Sequence, residues 1–316
     1  MILPWLLCGF GLVLLLLAGD ALVKGAVNIS LRLGVPALIV SLTIVAFGTS
    51  APELLISVQA ILDDAPGLAL GNVVGSNTAN ILLVLGVPAL LATMHTAECN
   101  TRKTYNIMIA ASLLFIALAF RGVFDWIAGA VLLTALALML GDAFRDAHQH
   151  RQACKGGPED EPEGADPDMP WWRIIVFLVL GLIGLPLGAN LLVENATIIA
   201  KTYGVSDTVI GLTLVAIGTS LPELATTVMA ALRRQADVAL GNVIGSNMFN
   251  LLAIIGIASF VGPIPVDREF LTFDLWVMLG ASVLLVPFVY LSWNITRFWG
   301  VILSGLYVAY LVIVLS

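Results

Sequence analysis

Long apolar runs separated by brief polar punctuation dominate the chain. Ten runs of about 20 residues, the length that crosses a bilayer as a helix, fall at 2–30, 37–61, 69–92, 104–120, 123–141, 172–200, 207–232, 238–260, 271–291 and 295–315. The first and sixth exceed the thickness of a bilayer, which predicts tilted helices. Trp5, Trp126, Trp171, Trp172 and Trp293 lie near run ends, where an aromatic belt would place them. One stretch interrupts the pattern at length. Between 142 and 170, Gly156-Gly157-Pro158 and an acidic, Pro-containing run read as a flexible cytosolic linker. The pattern predicts an all-α integral membrane protein of ten transmembrane helices. The apolar start, without a basic segment or a small-residue cleavage site, reads as the first span rather than a signal peptide.

Composition sharpens this reading. Apolar residues make up 59% of the 316, and only 11% are charged, against about 25% in soluble domains. Of the 35 charges, 11 fall between Asp142 and Asp168. So few ions cannot cover a water-facing surface, which excludes a cytosolic enzyme, a disordered chain and a nucleic-acid binder. The lipid bilayer is the implied partner, and no obligate protein partner is evident. The net charge of −7 is mostly local, since 142–168 alone nets −5. Cys8, Cys99 and Cys154 lack paired metal-ligand spacing and indicate neither a disulfide framework nor a zinc site.

The chain also repeats itself. Sliding it by 170 residues aligns 41–86 with 211–256 without a gap, and 24 of the 46 positions are identical. The matching blocks are GTSAPELLISV with GTSLPELATTV, and ALGNVVGSNTAN with ALGNVIGSNMFN. This internal duplication predicts a first five-helix repeat in 1–141, the linker in 142–170 and a second repeat in 171–316. Equivalent spans lie five apart, an odd number, so the copies must cross the membrane in opposite directions. Charge supports the inversion: Asp63-Asp64 aligns with Arg233-Arg234. With both termini outside, Arg32, Arg102, Lys103, Arg145, Arg151, Lys155, Arg173, Arg233, Arg234 and Arg297 are cytosolic, and only Arg121, Lys201 and Arg268 lie outside. That is the bias cytoplasmic loops show. Inverted repeats with broken helices and a midplane site are an architecture of secondary transporters.

Two acids, Glu53 and Glu223, sit mid-span at equivalent positions with no basic residue inside either span. A charge there is expensive and marks a functional site by default. Pro52 and Pro222 precede them and deprive the carbonyls of Gly48 and Gly218 of a helical donor. The resulting breaks place main-chain oxygen beside Thr49, Ser50, Thr219 and Ser220. Irregular backbone at this depth is tolerated where it lines a cavity. Ser76 and Asn80 share one helical face, as do Ser246 and Asn250. The Gly71/Gly75 and Gly241/Gly245 pairs read as close-packing positions. Asn72, Asn77, Asn242 and Asn247 read as interhelical hydrogen bonders rather than ligands. Asp20 and Lys24, spaced i, i+4, read as a structural pair, and Glu194, which aligns with Lys24, as a residue near an aqueous entrance or snorkelling to the interface.

Carboxylates, hydroxyls, amides and carbonyls without thiol or imidazole are hard oxygen ligands. They suit Ca²⁺, which takes 6–8 oxygens at about 2.3–2.6 Å, or Na⁺, and disfavour zinc and copper. The two GTS-x-PE blocks, each followed by GN-V-x-GSN, resemble the alpha repeats of the sodium/calcium exchanger family. That resemblance covers both halves. It implies a secondary antiporter rather than an enzyme, in a prokaryotic plasma (inner) membrane, with Ca²⁺ and Na⁺ (or H⁺) as transported ions and no cofactor. Matched by position, it implies ion ligands at Ala46 (carbonyl), Thr49, Ser50, Glu53, Ser76 and Asn80. The second copy supplies Ala216 (carbonyl), Thr219, Ser220, Glu223, Ser246 and Asn250. Some family members carry Asp where this chain has Asn250, a departure that bears on the number of cation sites the resemblance implies. A channel and an intramembrane hydrolase using the two acids are the competing readings. The first needs no counter-ion gradient, and the second lacks an intramembrane Ser–His or Cys–His pair.

Overall fold

The computed structural model describes residues 2–96, 99, 101–153, 166, 168–204 and 216–315. Helix α1 (Ile2–Leu33) is followed by α2 (Ala37–Thr49) and α3 (Ala51–Leu62), a pair bent by 42°. Next come α4 (Pro66–Leu91), α5 (Arg102–Ala119) and α6 (Trp126–Ala153). The second half holds α7 (Trp171–Thr202), the short α8 (Ala216–Thr219), α9 (Leu221–Leu232), α10 (Ala236–Val261), α11 (Phe270–Tyr290) and α12 (Arg297–Leu315). Among the described residues, eight helices are long and apolar enough to cross a membrane, or nine with the bent pair taken as one span. The protein is a helical, multi-pass membrane protein. Of the expected seventh span, α8 and α9 cover the C-terminal part, and 207–215 lie outside the described residues.

One boundary differs from the sequence pattern. Helix α6 continues to Ala153, so the first twelve residues of the expected linker are helical. Ala143, Arg145 and Ala147 are good helix formers. Asp142 and Asp146, one turn apart, both reach Lys103 Nζ on α5, at 2.8 and 2.7 Å. Helix formation here therefore carries an ion-pair reward that apolarity does not register. At the other end of the linker, the Asp166 N–H donates to Asn28 Oδ1 (2.9 Å) and Arg32 donates to the Met169 carbonyl (2.7 Å). The approach to α7 is thus fastened to α1.

The apolar interior has two main parts among the described residues. Helices α4 and α10 are the most enclosed, and Leu70, Val73, Val243 and Leu251 pack with Met108 and Phe115 of α5 and Met278 of α11. Helices α1 and α7 form a separate layer through Leu15, Ala18, Leu22, Ile174, Leu178 and Leu185. Their axes approach closely: a Cβ on Gly181 would lie 2.5 Å from Leu22 Cβ. The outer faces remain apolar, with Phe10, Leu17, Ile183 and Leu187 exposed, as lipid contact requires. Trp126, Trp171 and Trp172 are exposed at the first turns of α6 and α7.

Short main-chain pairings join the loops. Strand β1 (Val123–Phe124) pairs antiparallel with β2 (Ile264–Pro265), and Met94 pairs with Ile295. The expected Asp20–Lys24 pair forms at 2.9 Å. Asp20 has a further partner, since Arg233 just beyond α9 reaches its other oxygen at 2.5 Å. An ion triad therefore ties α1 to the end of a site-bearing helix. Glu194 is exposed on α7.

Candidate functional site

The site begins with two matched helix breaks. Ser50 (φ −85°, ψ 3°) and Ser220 (φ −88°, ψ 4°) leave regular helix geometry in the same way. In each, the proline takes an early helical position where its missing N–H does least damage. Glu53 and Glu223 follow in the first turns of α3 and α9. There the positive end of the helix dipole favours a carboxylate. The sequence thus sets each acid at a helix N-terminus inside the apolar interior.

Both acids are sequestered, each only 1% exposed. Ser50, three residues before Glu53, contacts Glu223, so the two acids are neighbours across the halves. Among the described residues neither makes an ion pair, and the Oε2 atom of each is buried without a hydrogen-bond partner. The helices that carry them are held in equivalent ways. Asn72 Nδ2 donates to the Glu53 carbonyl (3.3 Å) and to Ser57 Oγ (3.0 Å). Asn242 Nδ2 donates to the Glu223 carbonyl (3.3 Å) and to Thr227 Oγ1 (3.1 Å). These two asparagines are interhelical hydrogen bonders, as their sequence context indicates.

The two halves also meet directly. Ser50 Oγ donates to Glu223 Oε1 at 3.1 Å. Thr49 Oγ1 lies 3.3 Å from Asn242 Oδ1 and 3.5 Å from Ser246 Oγ. Asn80 Nδ2 donates to Asn247 Oδ1 (3.0 Å), and Asn77 Nδ2 to the Asn247 carbonyl (3.1 Å). Room for this contact comes from Gly245, where a Cβ would lie 2.5 Å from the Leu42 carbonyl oxygen and 2.6 Å from Ala46 Cβ. A Cβ on Gly241 would lie 2.8 Å from the Leu38 carbonyl oxygen and 2.8 Å from Ser41 Cβ. Among the described residues their counterparts are not close-packed: a Cβ on Gly71 would meet Phe270 at 3.8 Å, and one on Gly75 nothing within 4 Å.

The remaining expected ligands fall around this seam. Ser76 is buried one turn before Asn80 on α4, and Asn250 is buried on α10. The Ala46 carbonyl accepts from Ser50 N–H (3.0 Å) and Thr49 Oγ1 (3.2 Å), so it is already hydrogen-bonded. Ala216 opens α8, and Thr219 is partly buried at its end. Ser220 Oγ, Asn80 Oδ1, Asn77 Oδ1 and both amide atoms of Asn250 are buried without partners among the described residues. Burying unpaired polar groups costs roughly 1–3 kcal/mol each, and an unpaired charge more. A cation with a full set of oxygen ligands would meet these needs together. Asn77 and Asn247, which join the halves, carry no charge or helix break that distinguishes them in sequence. Their sequence signal is an amide in an apolar span, at the end of each GSN, and the interhelical hydrogen bonds expected of them are made.

Comparison with known proteins agrees with this architecture. The family model described as sodium/calcium exchanger protein matches residues 3–141 and 173–316. The sodium/calcium exchanger MaX1 of Methanosarcina acetivorans is 35% identical over 340 residues, covering 96% of each chain. The inner membrane protein YrbG of Escherichia coli is 33% identical over 309 residues, covering 95% of this chain and 93% of that protein. A solved structure of the sodium-calcium exchanger NCX_Mj superposes with a TM-score of 0.83 at 32% identity, covering 99% of this chain and 98% of that one. Two sequestered acids among hard oxygen donors, on a fold shared end to end with such proteins, place the chain in the sodium/calcium exchanger family, whose members are cation/Ca²⁺ antiporters.

Proposed function

We propose that the protein exchanges Ca²⁺ for Na⁺ by alternating access at a site near the membrane midplane. Its ligands are Glu53, Glu223, Thr49, Ser50, Thr219, Ser220, Ser76, Ser246, Asn80 and Asn250, with the carbonyls of Ala46 and Ala216. One observation carries this reading: two repeat-related carboxylates are buried, among the described residues, without a basic partner and amid unpartnered oxygens. A cation is their electrostatic complement. Competition between one divalent and several monovalent ions for the same oxygens gives exchange rather than leak.

The scaffold reads as ten spans in two inverted five-helix repeats, 1–141 and 171–316, joined by a cytosolic connection. The paired break angles and the matched Asn72 and Asn242 anchors support the repeat. So do the β1–β2 and Met94–Ile295 pairings, which link equivalent loops with the halves interchanged. The residues assigned to the cytosol also gather together: Arg32 with Met169, Lys103 with Asp142 and Asp146, and Arg102 with the Tyr290 carbonyl. Both termini then lie outside a prokaryotic inner membrane, the setting named for YrbG.

The test is ⁴⁵Ca²⁺ uptake into proteoliposomes under an outward Na⁺ gradient. Uptake that collapses when the Na⁺ gradient is dissipated supports the proposal. Uptake driven by a pH gradient alone identifies H⁺ as the counter-ion, and uptake needing no counter-ion gradient identifies a channel.

A further inference from the structure

The two halves of the site agree where each holds its own acid and differ where they meet. The Asn72 and Asn242 anchors match to within 0.1 Å. Across the seam, Asn80 Nδ2 donates to Asn247 Oδ1. Shifting each residue by 170 gives the mirrored pair, Asn250 and Asn77. That bond is open: Asn250 Nδ2 and Asn77 Oδ1 are both buried without a partner. The serines repeat the asymmetry. Ser50 Oγ donates to Glu223 Oε1, while its counterpart Ser220 Oγ is buried without a partner. The backbone differs too, since Asn80 lies in regular α-helix whereas Asn250 lies in a π-helical stretch, Phe249–Ile254. Such wide turns inside helices recur at functional sites.

We infer that Asn247 and Asn77 are positioning residues, each for the ligand amide of the opposite half. Asn247 holds Asn80, Asn77 holds Asn250, and the two bonds are made one at a time as the site turns between the two sides of the membrane. The chemistry is direct. An Asn that donates its Nδ2 has its Oδ1 fixed in direction, and the Asn80 Oδ1 is left unpartnered for a cation. Asn250 is held at neither end. The acceptor waiting for it is already oriented, because Asn77 Nδ2 is tied to the Asn247 carbonyl. This inference rests on the reading of Asn80 and Asn250 as cation ligands.

Equilibrium ⁴⁵Ca²⁺ binding to purified, monodisperse protein and Na⁺-driven exchange in proteoliposomes test it together. Asn247→Ala deletes the acceptor and should weaken binding about 10-fold, the usual cost of losing a partner that orients a metal ligand. Asn247→Asp keeps an acceptor oxygen and should bind within about 3-fold of native or tighter. In an Asn80→Ala background, Asn247→Ala should add less than about 2-fold, because residues acting through one contact are not additive. Asn77→Ala should change binding less than about 3-fold yet slow exchange at saturating Ca²⁺ about 10-fold. Where Asn247→Ala is not monodisperse, Asn247→Ser, too short to reach Asn80, takes its place. Native binding by Asn80→Ala would overturn the ligand assignment itself. Weakened binding by Asn80→Ala with native binding by Asn247→Ala, or with losses that multiply, would overturn the positioning role alone. Native turnover in Asn77→Ala would overturn the alternation.

Discussion

A membrane potential imposed on reconstituted protein should change both the rate and the end point of Ca²⁺ uptake. The site carries two formal negative charges, from Glu53 and Glu223, and the amides at 80 and 250 add none. One Ca²⁺ neutralises it. An opposing load of three Na⁺ leaves it at +1. Each cycle then moves one net charge, worth about 2.3 kcal/mol per 100 mV. At 1.36 kcal/mol per factor of ten, a 100 mV potential sustains a Ca²⁺ gradient about 50-fold steeper than the Na⁺ gradient alone. The assay clamps the potential with a K⁺ gradient and valinomycin while ⁴⁵Ca²⁺ is followed at fixed Na⁺. Native exchange should need no K⁺ of its own. Asn250→Asp adds a third acid in the same buried neighbourhood, able to hold a proton or a further cation, and should make exchange sensitive to pH or K⁺. Uptake by the native protein that ignores the imposed potential would refute this charge count.

Four further outcomes follow from particular contacts. Glu53→Gln and Glu223→Gln should each cut Ca²⁺ uptake at least about 100-fold while leaving thermal melting near native, because neither charge has a basic partner whose loss would unfold the chain; near-normal exchange by either variant counts against the site. Gly245→Ala drives a Cβ to 2.5 Å from the Leu42 carbonyl, an overpacking worth about 1–3 kcal/mol, and should lower both melting temperature and uptake, whereas Gly280→Ala, with nothing within 4 Å, should change neither. Asp20→Asn removes the acid shared by Lys24 and Arg233; with Asp20 19% exposed the cost is about 1–2 kcal/mol, and adding Arg233→Gln should not lower the melting temperature much further. Deleting 156–165 while keeping Asp166 on Asn28 should leave uptake intact, and loss of activity in well-expressed protein would show that the segment does more than connect.

The acids, the helix breaks and the oxygen-rich lining were legible because each violates a local expectation. A carboxylate or a proline in an apolar run is costly at its own position, whatever it meets. The 170-residue offset extended that reading to both halves. It also identified Asn72 and Asn242 as equivalent, which their bonds to the Glu53 and Glu223 carbonyls bear out. The helical extension of α6 was not legible from apolarity, because its reward is ionic and comes from Lys103, some forty residues earlier in the chain.

Partner choice across the interior was hidden for a related reason. Asp20 meets Arg233 over 213 residues and Asn80 meets Asn247 over 167, distances over which helix rotation and shift decide contact. A duplicated sequence specifies every such contact twice, once in each direction. It cannot say which of two mirrored bonds a given conformation makes. Two equally satisfied amide pairs would hold both halves of the site in one arrangement, and neither would have cause to move. Leaving Asn250 and Asn77 unpaired while Asn80 and Asn247 are joined gives the protein a second arrangement with the same number of bonds. On the proposed alternating-access reading, turning from one face to the other exchanges one set of bonds for its mirror image, with no net loss of pairing at either end.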